Sequence, residues 1–453
     1  MPTLNKIRSA LSGATGHRGR SSAALPRPDL RRFRIALTSF FALDGFLFAG
    51  WVVRIPAVKA QTGASPSALG LALLGVSAGA VATMMLTGRL CSRVGSRPVV
   101  LACGLLLPLS VALPPLTRSA LALGLVLLVF GAAYGGMNVA LNSAAVDLIA
   151  ILRRPVMSGF HAAFSLGGML GAGLGGLVAG QLSPTRHLSL LAAVGLAVAL
   201  LGARPLLHFP LESARRQTEE GPTAVGAGAR QAADTDVRTP RGAGAQQAVG
   251  TDRRQSAGAG AREERTGLSG RQRGLVAVLG LIALCTAYGE GALADWSALH
   301  LADDLGAGAG PAAAGYAVFA GAMTLGRLSG TALVERLGPG RILIAGGMLG
   351  CCGMLLGSLA PSVGLALAGF VLTGFGLANV FPIAIARAGD LAGPGGVAAA
   401  STFGYGGILF GPVAIGFLAD WFSLPAALLT VAVLAACASL TAWTTRHAVL
   451  PDG

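Results

Sequence analysis

Apolar runs long enough to cross a bilayer recur along this chain, and they limit the fold before any single residue is considered. A helix rises 1.5 Å per residue, so roughly 20 apolar residues cover a hydrocarbon core of about 30 Å. Windows of that kind stand at 33–53, 67–88, 98–116, 119–142, 158–181 and 187–207. Six more stand at 274–296, 313–335, 341–360, 362–385, 397–419 and 424–444. Lipid offers no partner to backbone N–H and C=O groups, which leaves helices or closed barrels, and windows of this length fit helices. The predicted fold is an all-α membrane protein of twelve transmembrane helices arranged as two six-helix halves. Of the 453 residues only 12% are charged against 53% hydrophobic, about half the charge of a soluble domain. Abundant Gly and Ala inside the windows permit close helix packing.

The net charge of +15 brings nucleic acid to mind, but the cations lie in the termini and in short loops, where they set membrane topology. No nucleic-acid partner is expected. Cys91, Cys103, Cys285, Cys351, Cys352 and Cys437 lie in or beside apolar runs, with neither metal-ligand spacing nor a paired framework, and read as packing residues. With no phosphate-binding loop, nucleophile elbow or metal cluster, the sequence points to no enzyme, metal or cofactor.

Five regions follow. Residues 1–32 are rich in Arg, Ser, Ala and Gly, with no acid before Asp29, and read as a disordered cytoplasmic tail. No apolar segment precedes Phe33, so no cleavable signal peptide is expected. Residues 33–208 form the first half. Residues 209–272 are polar and repetitive: Gly226-Ala227-Gly228-Ala229-Arg230 returns as Gly258-Ala259-Gly260-Ala261-Arg262, and no aromatic occurs between Phe209 and Tyr288. Such a stretch buries no core and is predicted to be a disordered cytoplasmic linker. Residues 273–446 form the second half, and 447–453 a C-terminal tail.

Arg and Lys fix the expected orientation. The N-terminal tail, the 89–97 loop, Arg153, Arg154, the linker, Arg336, Arg341, Arg387 and Arg446 fall on one side. Arg54, Lys59, Arg118 and Arg186 fall on the other. The excess places both termini and the linker in the cytoplasm of a multi-pass protein of the inner membrane.

The halves repeat each other. Asp44-Gly45 followed by Trp51 in the first window returns as Glu290-Gly291 followed by Trp296 in the seventh. Gly88-Arg89-Leu90-Cys91-Ser92-Arg93-Val94-Gly95-Ser96-Arg97 after the second has its counterpart in Thr331-Ala332-Leu333-Val334-Glu335-Arg336-Leu337-Gly338 after the eighth. Gly135 and Asn138-Val139 match Gly376 and Asn379-Val380, and Gly167-Gly168 match Gly406-Gly407.

With this architecture, the 88–97 segment resembles the signature loop of major facilitator superfamily transporters, which reads Gly-x-Leu-x-Asp-Arg-x-Gly-Arg-Arg. Gly88, Leu90, Arg93, Gly95 and Arg97 match. Ser92 stands where the family usually has Asp, and Glu335 carries an acid at the equivalent place in the second half, beside Arg336 and Gly338. In the family that acid helps lock the cytoplasmic gate. Trp51 to Pro56, Asn138 to Asn142, Phe160-His161, Phe164 to Gly167, Glu290-Gly291 and Asp295-Trp296-Ser297 look like a poorly characterised bacterial branch loosely grouped with sugar permeases. Gly171-Ala172-Gly173-Leu174-Gly175-Gly176 is similar to a proton-antiporter motif ending Gly-Pro-x-x-Gly-Gly, with Ala172 in place of Pro. The resemblance implies secondary active transport of a small molecule by alternating access, coupled to protons, by a monomer in the lipid bilayer. The alternatives are a drug or metabolite efflux pump working by proton antiport, and a non-transporting receptor that kept the fold. The family further implies that the first, fourth, seventh and tenth helices line a central cavity, which would bring Asp44, Asn138, Glu290 and Asn379 together.

Particular residues carry the expected chemistry. Asp44 sits near the middle of the first window, where an ionisable group costs roughly 2.5–3.5 kcal/mol and usually faces a cavity or partner. Asp44 and Glu290 are the proton-coupling candidates, because a carboxyl whose surroundings alternate can bind and release a proton. Asn138, Asn142 and Asn379 suit hydrogen bonding to a polar substrate, or to neighbouring helices. Tyr134, Trp51 and Tyr288 offer faces for a ligand ring, although Trp51 also suits the interfacial aromatic belt. Arg327, His161 and Asp295 are charge, relay or gate candidates, each with a packing alternative. Straight-helix arithmetic puts Asp44 roughly 16 Å, Glu290 roughly 24 Å and Arg327 roughly 9 Å from the cytoplasmic end. On that count Arg327 pairs with Asp44 rather than with Glu290.

Overall fold

The computed structural model describes residues 27–152, 156–209 and 269–449. Residues 1–26, residues 153–155 with Arg153 and Arg154, most of the expected linker (210–268) and residues 450–453 lie outside them. The helices are α1 (Arg27–Val52), α2 (Ile55–Thr62), α3 (Pro66–Val94), α4 (Ser96–Val111), α5 (Ala120–Leu152), α6 (Met157–Ala179) and α7 (Pro184–Leu207). The second half holds α8 (Gly270–Leu299), α9 (Ala309–Leu328), α10 (Gly330–Leu337), α11 (Pro339–Leu359), α12 (Val363–Leu377), α13 (Val380–Trp421) and α14 (Leu424–Val449). Among the described residues eleven spans are long and apolar enough to cross a membrane, and the pair α9–α10, bent by 54°, makes the twelfth. α13 turns back at Ala392 and Gly393, so its first limb completes the tenth span and its second limb is the eleventh. Twelve crossings put the start of α1, the end of α14 and both ends of the connection between halves on one side.

Local chemistry sets the ends. Ser65 accepts from the Ala68 N–H with Pro66 opening α3, Ser183 accepts from the Arg186 N–H with Pro184 opening α7, and Ser269 with Gln272 makes a capping box on α8. These groups satisfy backbone donors that the first helical turn leaves over. Gly95 (φ 88°, ψ 155°) separates α3 from α4, and Gly338 (φ 79°, ψ 153°) separates α10 from α11. The same backbone conformation, which side chains beyond glycine disfavour, thus recurs at matched places in the two halves.

Several margins differ from the sequence reading. α1 begins at Arg27, six residues inside the expected tail, and α14 continues to Val449. The linker's margins are ordered too: buried Phe209 stacks on Phe33 at 4.8 Å, and α8 starts at Gly270. The segment read as an 89–97 loop is mostly helix. Gly88, Leu90 and Arg93 lie in the last turns of α3 and Arg97 in the first turn of α4, with Gly95 alone between; Glu335 and Arg336 lie in α10. Arginines outside the hydrocarbon do not stop a helix, whereas the left-handed glycine does. Ser92 bonds the Arg89 carbonyl at 2.8 Å. The acid beside this turn is instead Asp147 of α5, 3.0 Å from the Ser96 hydroxyl, while Arg97 donates to the carbonyls of Leu207 and Phe209.

Within each half the pairs correspond: α1 packs on α6 as α8 packs on α13, and α3 packs on α5 as α9 packs on α12. A methyl group at Gly45 would strike the Phe164 carbonyl, and one at Gly167 the Ala42 carbonyl, so α1 and α6 touch backbone to backbone. Between halves α3 meets α13, and α6 meets α9. Near the α2 end these contacts are tight. A Cβ at Gly70 would lie 2.5 Å from the Pro412 oxygen, and one at Gly416 2.5 Å from the Pro66 oxygen. Lys59 bonds Asp303 at 2.7 Å, Asp420 accepts from the Ser67 N–H at 2.9 Å, and Ser77 donates to the Ile408 carbonyl at 3.4 Å. Towards the termini, methyl groups at Gly88, Gly159 and Gly406 would meet nothing. The halves are therefore closed together at the α2 end.

Candidate substrate cavity

A cavity of about 370 Å³ lies between the halves, inside that closure. α1, α3, α5 and α6 of the first half and α8, α9 and α13 of the second contribute to its wall. Its charged groups are Glu290 and Asp295 on α8 and Arg327 on α9, and its neutral polar groups include Ser77, Asn138, Ser165 and Thr324. Tyr316, Phe319, Ala320, Met323 and Arg327 recur at helical spacing and turn one face of α9 to the cavity.

The Arg327 guanidinium holds both oxygens of Glu290, at 2.9 and 3.1 Å, and its Nε donates to the Ala378 carbonyl at 3.3 Å. The side chain of Arg327 remains 44% exposed and that of Glu290 27%, because both border the cavity. This corrects the pairing expected from depth. α8 and its closing turn run on to Asp304, past the expected window, so counted from the α2 end Glu290 lies about 21 Å in and Arg327 of α9 about 27 Å in, and a long arginine side chain spans the difference.

Asp44 faces elsewhere. It is 1% exposed, is not part of the cavity wall, and its Oδ1 has no hydrogen-bond partner. It lies within electrostatic reach of Tyr134 and Cys103, so it points into the first half. Gly45 and Tyr134 stand in the wall beside it.

The remaining candidates divide. Tyr134, Asn138 and Asp295 line the cavity with Glu290 and Arg327. Asn379 does not: it sits in the break between α12 and α13, where its amide donates to the Gly326 carbonyl at 2.9 Å. Asn142 donates to the Asn138 carbonyl at 2.8 Å. Trp51 is 1% exposed and packs near Phe130, so it is neither a belt residue nor a ligand platform. Buried Tyr288 is tied to the Thr430 hydroxyl at 2.9 Å. His161 is outside the wall, exposed, with its ring edge-on to Phe41. Arg54, in the turn between α1 and α2, is buried, donating to His187 at 2.8 Å and to the Ala179 carbonyl at 3.0 Å; its charge meets the C-terminal dipole of α6.

Sequence reading missed Phe48, Tyr316 and Tyr405. Phe48 stacks on Tyr134 at 4.9 Å and meets Tyr316 edge-on at 6.3 Å. A usable signal existed: the chain has only four tyrosines, and three of them, Tyr134, Tyr316 and Tyr405, line the cavity.

The family profile of the Major Facilitator Superfamily matches residues 35–394 and 279–451. The chain belongs to the Major Facilitator Superfamily. An uncharacterized MFS-type transporter of Yersinia pestis is 34% identical over 398 residues, covering 87% of this chain and 91% of that protein. An uncharacterized transporter of Sinorhizobium fredii is 33% identical, covering 89% and 95%. Among solved structures, the bacterial homolog of the human lysosomal transporter Spinster, inward-facing and unoccupied, aligns with a TM-score of 0.70 at 14% identity, over 94% of this chain and 99% of that one. The nucleoside transporter NupG aligns with a TM-score of 0.65 at 14% identity, over 93% and 100%. These likenesses share a fold. As a major facilitator, the chain is a membrane transporter for a small molecule, built as two six-helix halves around the cavity described above.

Proposed function

We propose that this transporter works by alternating access and is driven by protons, with the Arg327–Glu290 pair at the point where substrate and proton meet. One observation carries the reading: a carboxylate–guanidinium pair stands in a cavity between two matched halves that are closed at one end. Rocking the halves would open the α2 end and close the other. Glu290 is held by Arg327 only while α8 and α9 keep this geometry, so a proton arriving on Glu290 frees Arg327, and the coupling has a physical link. Asp44 is the second coupling carboxyl, reached from the cavity past Tyr134. The side bearing the termini is the cytoplasm and the membrane the inner membrane. The arginine excess supports this even after buried Arg54 is removed from the outer count. The protein acts as a monomer.

The helix-α6 glycines that resemble an antiporter motif have a packing explanation. A methyl at Gly171 would strike the Phe46 carbonyl, and one at Gly176 would lie 3.1 Å from Ala313. They give no separate support for efflux.

A compound library screened for solute-induced pH change, in everted and right-side-out vesicles, identifies substrate and direction. Glu290→Gln is then reconstituted in proteoliposomes under an imposed pH gradient. The variant is expected to lower accumulation and the accompanying proton flux roughly 30-fold. Undiminished accumulation by this variant and by Asp44→Asn would replace proton coupling with facilitated diffusion or another ion.

A further inference from the structure

The cavity's charges do not balance. Arg327 is engaged by both oxygens of Glu290 and by the Ala378 carbonyl. Asp295, the other acid in the wall, takes no hydrogen bond or ion pair among the described residues. It stands on α8 beyond Glu290, towards the closed end, on the same helical face as Gly291, which also lines the cavity. Behind it Trp296 is buried, 1% exposed. An unpaired carboxylate in a largely apolar wall is costly unless something charged or hydrogen-bonding arrives.

Aromatic rings surround the same space. Phe48 stacks on Tyr134 and is edge-on to Tyr316, and Tyr316 lies within electrostatic reach of Asp295, Glu290 and Arg327 alike. Ring faces attract cations, more strongly where water is excluded. An anionic ligand would find the one cavity guanidinium already occupied, and a neutral one would offer Asp295 a hydrogen bond but no countercharge. Resting on the reading of this cavity as the transport site, we infer that its ligand is a small organic cation, with an ammonium group at Asp295 and its body against Phe48, Tyr134 and Tyr316. The hydroxyl and amide groups of Ser77, Ser165 and Asn138 serve polar groups on that body.

The test uses the full-length protein in detergent and three probes on one skeleton: phenethylamine, 2-phenylethanol and 3-phenylpropionate. Isothermal titration calorimetry is expected to show the amine binding at least roughly tenfold more tightly than the other two. Asp295→Asn is expected to abolish that preference, and Phe48→Leu to weaken amine binding roughly tenfold. Equal affinities for amine and alcohol, no binding of the amine, or a preference that survives Asp295→Asn would each overturn the inference. If Asp295→Asn does not purify as a single species, the three probes with wild type and Phe48→Leu still decide it. No gradient enters the measurement. A transporter shown to carry a neutral or anionic solute without binding the amine would overturn this inference and leave proton-driven transport standing. An amine that binds but is not accumulated would do the reverse.

Discussion

The two halves place their matched acids differently. Asp44 of α1 is sealed inside its own half with one oxygen unpartnered, whereas Glu290 of α8 borders the cavity and is gripped by Arg327. The matched asparagines divide in the opposite sense: Asn138 lines the cavity and Asn379 is spent on the Gly326 carbonyl. A repeat in sequence therefore preserves the scaffold while letting each half assign its polar groups separately. The glycine turns at Gly95 and Gly338 serve the scaffold alike in both halves; the acids and amides are assigned half by half.

The largest expected effect separates the acids. Glu290→Gln removes the partner of Arg327 and is expected to lower substrate affinity and accumulation together. The change corresponds to about 2 kcal/mol, between a surface pair and a buried one because the cavity admits water, or roughly 30-fold in uptake. Asp44→Asn, which keeps size and hydrogen bonding, is expected to abolish accumulation while exchange at equal concentrations continues. Uptake and exchange measured in the same proteoliposomes check both. An Asp44→Asn variant that still concentrates substrate would make Asp44 structural and erase the functional side of the contrast.

A smaller effect compares the scaffold. Gly167→Ala forces a methyl into the Ala42 carbonyl, while its counterpart Gly406→Ala enters open space. The first is expected to cost about 1–3 kcal/mol by separating α1 from α6, the second close to nothing. Thermal unfolding in detergent reads the difference, and equal shifts would deny that the α1–α6 seam runs through Gly167 while the α8–α13 seam passes through Gly407, against the Leu284 carbonyl, and leaves Gly406 free.

The asparagines come next. Asn379→Ala loses the bond to Gly326 and is expected to lower stability by about 1 kcal/mol, with ligand affinity little changed. Asn138→Ala is expected to weaken ligand binding and leave the unfolding temperature alone. Reversed outcomes would move the binding surface from α5 to the α12–α13 break.

How far these differences were legible in the sequence depends on what each rests on. The twelve spans follow from lipid solvation, which acts on composition over many residues, so the windows showed them. Arg327–Glu290 rests on the continuation of the α8 span through His300–Asp304, beyond its apolar window, and counting the windows from the cytoplasmic end therefore pairs Arg327 with Asp44. Asn138-Val139 and Asn379-Val380 look alike as sequence, yet the second pair straddles a helix break, and the broken backbone claims the amide. The role of Tyr316 depends on which face α9 turns inward, and a span hydrophobic on all sides does not show that face.

The smallest expected effect lies at the closed end and concerns the Lys59–Asp303 pair, which joins α2 to the turn after α8. The contact is short, 2.7 Å, but the side chains are 21% and 48% exposed, and exposed pairs contribute about 0.2–1 kcal/mol. The pair does not hold the gate alone: the backbone approach of Gly70 and Gly416 and the Ser67–Asp420 bond lie in the same closure. Lys59→Met should thus bias the halves towards opening at the α2 end by about twofold in population, without unfolding anything. Labelling of Ser165→Cys, in a background lacking the six native cysteines, reads this as a faster reaction from the α2 side. Raised salt should mimic the substitution in the parent and do nothing further in the variant, since screening removes the same attraction. If the rate is unchanged by both, closure belongs to the glycine seam between α3 and α13, and the comparison between the two ends of the molecule reduces to helix packing.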